Sequence, residues 1–190
     1  MAARIAILGW GSLLWDKNEA FDAQHKKWLP DGPILHLEFS RISKKRGGGL
    51  TLVIDSENGA SCTVSHTLSK RSDLDDAICD LRAREETPVR NIGVISADGT
   101  VIRCRDSRAQ DVLQAWLHSH KVDFVIWTDL ANNFQERRRQ PYTVQAAIKY
   151  LQSLDSSGKS LAAEYIWRAP SFIDTPLRRA IEIEPWFRTS

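Results

Sequence analysis

The sequence predicts an α+β fold. Short apolar strands recur at residues 5–8, 50–54, 91–96 and 122–127, and helical segments fall between them at irregular intervals rather than after every strand, as a doubly wound sheet would require. No internal repeat and no low-complexity tract interrupts that pattern. At 190 residues the chain is long enough for one domain with a substantial core.

The first strand organises the rest. Ile5, Ala6, Ile7 and Leu8 are consecutive apolar residues, the mark of a short buried strand. They run into Gly9-Trp10-Gly11-Ser12, where missing β-carbons permit close approaches and a concave run of amides can take a carboxylate or phosphate. A plain tight turn is the simpler use of the same residues. A dinucleotide fingerprint is excluded, because its third glycine is replaced by Leu14 and no capped amphipathic helix follows.

Residues 17–33 are mostly polar and end in Pro30-Asp31-Gly32-Pro33, so they read as a connecting loop. In 34–43, Leu35, Leu37, Phe39 and Arg41 share one face of a strand. Lys44-Lys45-Arg46 opens a mobile basic turn, 50–54 is the next strand, and Asn58-Gly59 favours a hairpin turn. Residues 61–68 are expected to close that hairpin, with Cys62, Val64 and His66 on one face. Ser72 is the expected cap of a helix whose Leu74, Ala77, Ile78 and Leu81 form an apolar stripe, and Pro88 ends it.

Ala97-Asp98-Gly99 joins two strands in a further hairpin. Ser107 opens a second helix, with Ala109, Val112, Leu113, Trp116 and Leu117 as its buried side. After the strand at 122–127, Asn132 and Asn133 mark a loop. Pro141 and Thr143 open a third helix through Leu154, Ser156-Ser157-Gly158 breaks it, and 160–168 is again helical. Thr175-Pro176 starts a last short helix.

Composition narrows the function classes. A net charge of +2 with 26% charged residues does not point to a nucleic-acid protein. Cys62, Cys79 and Cys104 are odd in number and form no C-x-x-C, which fits reduced thiols in the cytoplasm; Cys62 and Cys79 read as core or near-core. Met1-Ala2-Ala3-Arg4 lacks an apolar secretory region, and no apolar run reaches membrane length. His25, His36 and His66 have no zinc spacing, and His118 and His120 face different directions on a helix, so neither metal nor cofactor is expected. Ser12 lacks the glycines of a nucleophile elbow, since Trp10 and Leu14 stand there. Lys44-Lys45-Arg46 and Arg137-Arg138-Arg139 read as solvated loop charge.

Glu85 is the most informative acid. Continuing the stripe 74, 77, 78, 81 by one turn reaches 85, whereas Glu86 is rotated away by about 100°. Partial desolvation and the negative end of the helix dipole both push such a carboxylate toward a base useful near neutral pH. Spacing alone leaves open an ion pair with Arg82 or Arg84.

Together these residues resemble the γ-glutamylcyclotransferase-like proteins, especially the ChaC-type branch. Gly9-Trp10-Gly11-Ser12-Leu13-Leu14-Trp15 is similar to the family's strand-to-loop segment, aromatic-Gly-Ser-Leu followed by an aromatic. Residues 41–54 with 59–67 are similar to a family hairpin, and Leu81-Arg82-Ala83-Arg84-Glu85-Glu86 to its L-x-x-R-E helix end. The resemblance covers the first half of the chain. Trp127-Thr128-Asp129-Leu130 and Tyr165-Ile166-Trp167-Arg168 lie outside it, and Trp10 stands where the family has a tyrosine.

The resemblance implies a mixed, partly closed sheet or barrel flanked by helices. It implies a single domain over 1–190, divergent from about residue 107. The implied activity is release of 5-oxoproline from a small γ-glutamyl amide or peptide by intramolecular aminolysis, without a cofactor. Glu85 is then the general acid/base, and Gly9, Trp10, Gly11, Ser12 and Leu13 bind substrate. By their position along the hairpin, Arg41 and Arg46 are the alternative to solvated charge, guanidiniums facing the pocket for a substrate carboxylate, and Arg41 is counted with the binding residues. The rival readings are a non-catalytic binder of small anions and an RNA-associated protein.

Overall fold

The computed structural model describes residues 2–188. In chain order its elements are β1 (Ile5–Gly9), α1 (Glu19–Asp22), β2 (Ile34–Ile42), β3 (Leu50–Ile54), β4 (Ala60–Thr63), β5 (Ser65–Leu68), α2 (Leu74–Glu85), β6 (Ile92–Ser96) and β7 (Ile102–Arg103). They continue as α3 (Ser107–His120), β8 (Phe124–Thr128), α4 (Phe134–Arg138), α5 (Val144–Gln152), α6 (Ser156–Arg168), α7 (Pro176–Glu182) and α8 (Pro185–Arg188). The α+β class holds, with a mixed sheet flanked by helices. Two compact units result. The first takes the residues up to Gly9, Asp16–Ile34 and Thr63–Leu130; the second takes Trp10–Trp15, Leu35–Cys62 and the residues from Ala131 onward.

The first unit is built on a five-stranded sheet in the order β5-β1-β8-β6-β7. β1 runs parallel to β8, with Ala6 opposite Val125, and antiparallel to β5, with Ala6 opposite Leu68. β1 and β6 are buried along their whole length, which is why their sequences are continuous apolar runs rather than alternations. α2 packs on β8, and α3 on β6 and β8. Their buried residues are Ala77, Ile78 and Leu81 from α2 and Ala109, Leu113, Trp116 and Leu117 from α3. Val112, expected among them, is 39% exposed, since the other four already fill the face.

Three local expectations shift here. Asp73, not Ser72, caps α2, its carboxylate accepting from the amides of Asp75 at 2.9 Å and Asp76 at 3.1 Å. A carboxylate there meets the orphan amides and the positive end of the helix dipole together. The stretch read as a loop contains α1, capped by the Asn18 side chain on the Phe21 amide at 3.0 Å and anchored by the buried Phe21 ring. Cys79 faces solvent from α2 rather than the core.

The second unit is built on a three-stranded sheet in the order β3-β2-β4. The expected closure of one hairpin by 61–68 does not occur. β4 lies on the far side of β2 from β3, and β5 belongs to the other sheet. The turn explains it. The Gly59 amide donates to the Asp55 carbonyl at 2.8 Å, and a β-carbon on Gly59 would lie 2.6 Å from the Leu37 carbonyl oxygen. Glycine is required because the chain crosses over β2, not because it turns back beside β3. Neither sheet, among the described residues, closes into a barrel.

Helices complete this unit: α6 packs on β3, and α5 against α6 and α7. Ser156-Ser157-Gly158 starts α6 rather than breaking a helix, because the Asp155 carboxylate caps it through the Gly158 amide at 2.7 Å. α4 arises in the expected loop through Phe134, fully buried and edge-on to the rings of Tyr142 and Tyr150. The basic turn is a single 3₁₀ turn, Lys44–Arg46, followed by Gly47 in the left-handed region. The Tyr150 hydroxyl ties it down by donating to the Gly48 carbonyl at 2.7 Å. Among the described residues no helix is long and apolar enough to cross a membrane.

Candidate active site

α2 decides which of two adjacent glutamates is presented. The helix ends at Glu85, and Glu86 leaves it in a left-handed conformation, φ 49°, as an exposed C-cap. The Glu85 side chain is 21% exposed, and its Oε1 stands 3.6 Å from Arg84 Nη1. Arg84 is itself anchored, donating through Nη2 to the Asp16 carbonyl at 2.9 Å. The ion pair that spacing left open is therefore present, with Arg84 as its cation. Gly9, the last residue of β1, lies in the same unit; Trp10, Gly11, Ser12, Leu13 and Arg41 lie in the second.

The glycine loop leaves β1 as a 3₁₀ turn over Ser12–Leu14, closed by Leu14 N–H to Gly11 O at 2.9 Å and Trp15 N–H to Ser12 O at 3.2 Å. Trp10 and Leu13 turn inward and are buried. Gly11 sits against α6: a β-carbon there would collide with the Tyr165 hydroxyl and lie 3.3 Å from its ring carbon Cζ. Trp15 meets the Tyr165 ring edge-on at 5.5 Å, and Phe39 meets it at 6.2 Å. The Arg46 guanidinium lies 4.5 Å from the Tyr165 ring centroid, and that of Arg168 lies 5.7 Å from the Trp15 ring, both within cation–π range.

The sequence reading favours solvated charge for Arg46, with Lys44 and Lys45, and offers a place facing the pocket beside Arg41 as the alternative; the turn aims it at Tyr165 while the lysines stay exposed. Tyr165 lies in the half of the chain without a recognisable motif. Its one available signal was its position on the buried side of a helical segment, shared with Ala162 and Ile166. Arg41 donates through Nη1 to the Ala131 carbonyl at 2.6 Å.

A second acidic group, also unforeseen, lies in the sheet of this unit. Glu38 is fully buried, accepting from the Phe39 amide at 2.7 Å and from the Leu177 amide at 3.1 Å. Burial pushes its pKa up to about 7, against the opposing pull of its hydrogen bonds from Thr175, Phe39 and Leu177. Nearby, Asp55 accepts from the Ser40 hydroxyl at 2.7 Å and the Asn132 amide at 2.8 Å. Tyr142 is buried with its hydroxyl outside hydrogen-bond geometry, and burial, then the charges of Glu38 and Asp55, raises its pKa. With no solvent access, Glu38 is a structural acid that holds the first turn of α7 to β2. The expected face of β2, Leu35, Leu37, Phe39 and Arg41, gives no sign of it, since Glu38 and Ser40 alternate with those residues and are fully buried as well.

No family model matches the chain, and no curated protein does. Among solved structures it is similar to a yeast γ-glutamyl cyclotransferase specific to glutathione, at 15% identity over 96% of this chain and 89% of that one, with a TM-score of 0.44. A likeness of that depth assigns the chain neither a family nor an activity.

Proposed function

We propose that this protein is a γ-glutamylcyclotransferase-like enzyme that releases 5-oxoproline from a small γ-glutamyl amide or peptide. The observation that carries the reading is the divergence of the two glutamates at the end of α2. Glu85 stays on the helix, four-fifths buried, and Glu86 is turned out to solvent. This is the distinction that the L-x-x-R-E resemblance requires.

In this reading the substrate supplies its own nucleophile. Its α-amine attacks its γ-carbonyl, forming the lactam C–N bond as the original amide C–N bond breaks. Passing from ammonium to lactam N–H, the attacking nitrogen sheds two protons; Glu85 takes them one after the other and hands them to the leaving nitrogen, which departs as an ammonium, so one carboxylate serves both transfers. Holding the substrate folded supplies the proximity advantage of an intramolecular reaction. The glycine loop supplies amide donors for a carboxylate or a developing oxyanion. The role is proposed for the loop from Gly9 to Leu13; the Leu14 and Trp15 amides close the turn. Arg41 remains a proposed contact for the substrate carboxylate. Arg46, less exposed than its lysine neighbours and held over Tyr165, is the better-placed guanidinium on the loop's own unit.

The Arg84–Glu85 pair at 3.6 Å favours one rival, a non-catalytic binder in which Glu85 only steadies the helix end. Purified protein assayed against a panel of γ-glutamyl compounds, with 5-oxoproline as the readout, separates the two. Turnover that depends on Glu85 supports the enzyme; binding without turnover supports the rival.

A further inference from the structure

The first unit carries a cavity that the proposed reaction does not use. It is an open depression of about 350 Å³, bordered by Ala2, Ala3, Arg4 and Ile5, by Lys26, and by Leu68, Ser69, Lys70, Arg71 and Ser72. Four of these ten residues are cationic and none is acidic, in a chain whose net charge is only +2.

Two of the cations are already committed. Arg71 forms a two-point pair with Asp80, at 2.8 and 3.2 Å, and Arg4 donates through Nη1 to the Lys121 carbonyl at 2.7 Å. Lys70 donates one hydrogen to the Ala23 carbonyl at 2.9 Å, which spends one of its three donors and none of its charge. Neither Lys26 nor Lys70 has a carboxylate partner among the described residues.

The backbone beneath both lysines is fixed. The Lys26 amide donates to Leu68 O at 2.9 Å, the Lys70 amide to Gln24 O at 2.8 Å, and the Thr67 hydroxyl to Lys26 O at 2.8 Å. The two lysines thus follow the bridged residues His25 and Ser69, on backbone that is hydrogen-bonded rather than free, and both border the same cavity. The start of α2 does not fill that role, because the Asp73 carboxylate already occupies its first amides.

We propose that this cavity binds a small phosphorylated molecule. A phosphate takes donors from Lys26 and Lys70 as point charges and from the Ser72 hydroxyl, while Ala2, Ala3, Ile5 and Leu68 offer an apolar floor to the remainder. The volume lies near the lower end of the ~300–1,000 Å³ typical of small-molecule sites, so the ligand is compact. The site shares no residue with the proposed cyclisation chemistry.

Calorimetric titration of the full chain with inorganic pyrophosphate and with adenosine monophosphate tests it, with sulfate and a short RNA as comparisons. Lys26→Gln and Lys70→Gln are each expected to weaken pyrophosphate binding about tenfold, with circular dichroism unchanged. Lys27→Gln, on the same segment but outside the cavity lining, is expected to leave it unchanged. The proposal is overturned if millimolar pyrophosphate gives no binding, or if Lys27→Gln weakens it as much as Lys26→Gln does. It is equally overturned if RNA binds more tightly than either phosphate compound and Lys26→Gln has no effect on it.

Discussion

Gly11 offers a test of packing with one methyl group. Its added β-carbon collides with the Tyr165 hydroxyl, and the ring that carries that hydroxyl is itself buried. Gly11→Ala is therefore expected to destabilise the fold by about 1–3 kcal/mol, the range for overpacking. Adding Tyr165→Phe should recover part of that loss, since the remaining contact is the ring carbon at 3.3 Å. Urea denaturation of the single and double variants measures both, and equal losses in the two would show that the hydroxyl is not the obstacle. Glu38 offers a test of electrostatics. Its pKa is raised from 4.5 to about 7 by burial, so the folded chain keeps a proton that the unfolded chain has released across that window. The stability tied to this group is present in full below pH 4.5, declines as the pH rises toward 7, and is flat above it. At about 1.4 kcal/mol per pH unit, the loss is roughly 3–4 kcal/mol. Glu38→Gln keeps an acceptor for the Leu177 amide and should flatten that slope; a slope unchanged in denaturation curves from pH 4.5 to 7 would contradict the assignment.

Helix ends are where neighbouring side chains decide between adjacent candidates. Asp73→Ala is expected to cost about 1 kcal/mol, and Ser72→Ala only a few tenths, because Asp73 is the residue bonded to the first amides of α2. The reverse order in thermal or urea unfolding would restore Ser72 as the cap. The same rule explains what could be read ahead of the structure. β1, β2, β3, β6, α2, α3 and α7 follow from apolar runs, 3.6-residue stripes and the Thr175-Pro176 start, which are local signals. The pairing of β4 was not legible, since Asn58-Gly59 gives the same dipeptide to a hairpin and to a crossing over β2. α6 starts where Ser-Ser-Gly would otherwise break a helix, because Asp155 stands before it as a cap. α4 depends on one buried aromatic, Phe134, whose partners Tyr142 and Tyr150 come later in the chain. Within the candidate site, Glu85 and the glycine loop were legible as motifs. Arg46 is legible only as a candidate by its place along the hairpin, and Tyr165 not at all, because its place depends on a distant part of the chain meeting Gly11.

Across the whole molecule, the chain passes from one unit to the other after Gly9, Trp15, Ile34, Cys62 and Leu130, so neither unit is a continuous segment. We propose that the two fold as one domain. Tryptophan fluorescence and far-ultraviolet circular dichroism should then report coincident unfolding transitions, and separated midpoints would contradict it. The functional account rests finally on Glu85. The most direct measurement is 5-oxoproline release by the wild-type chain and by Glu85→Gln, on whichever γ-glutamyl compound of the panel the wild type turns over. The account predicts at least a ~100-fold loss of turnover, the lower range for general acid–base catalysis, with substrate binding and fold retained. Wild-type turnover by Glu85→Gln, or no release by the wild-type chain from any compound of the panel, would contradict it.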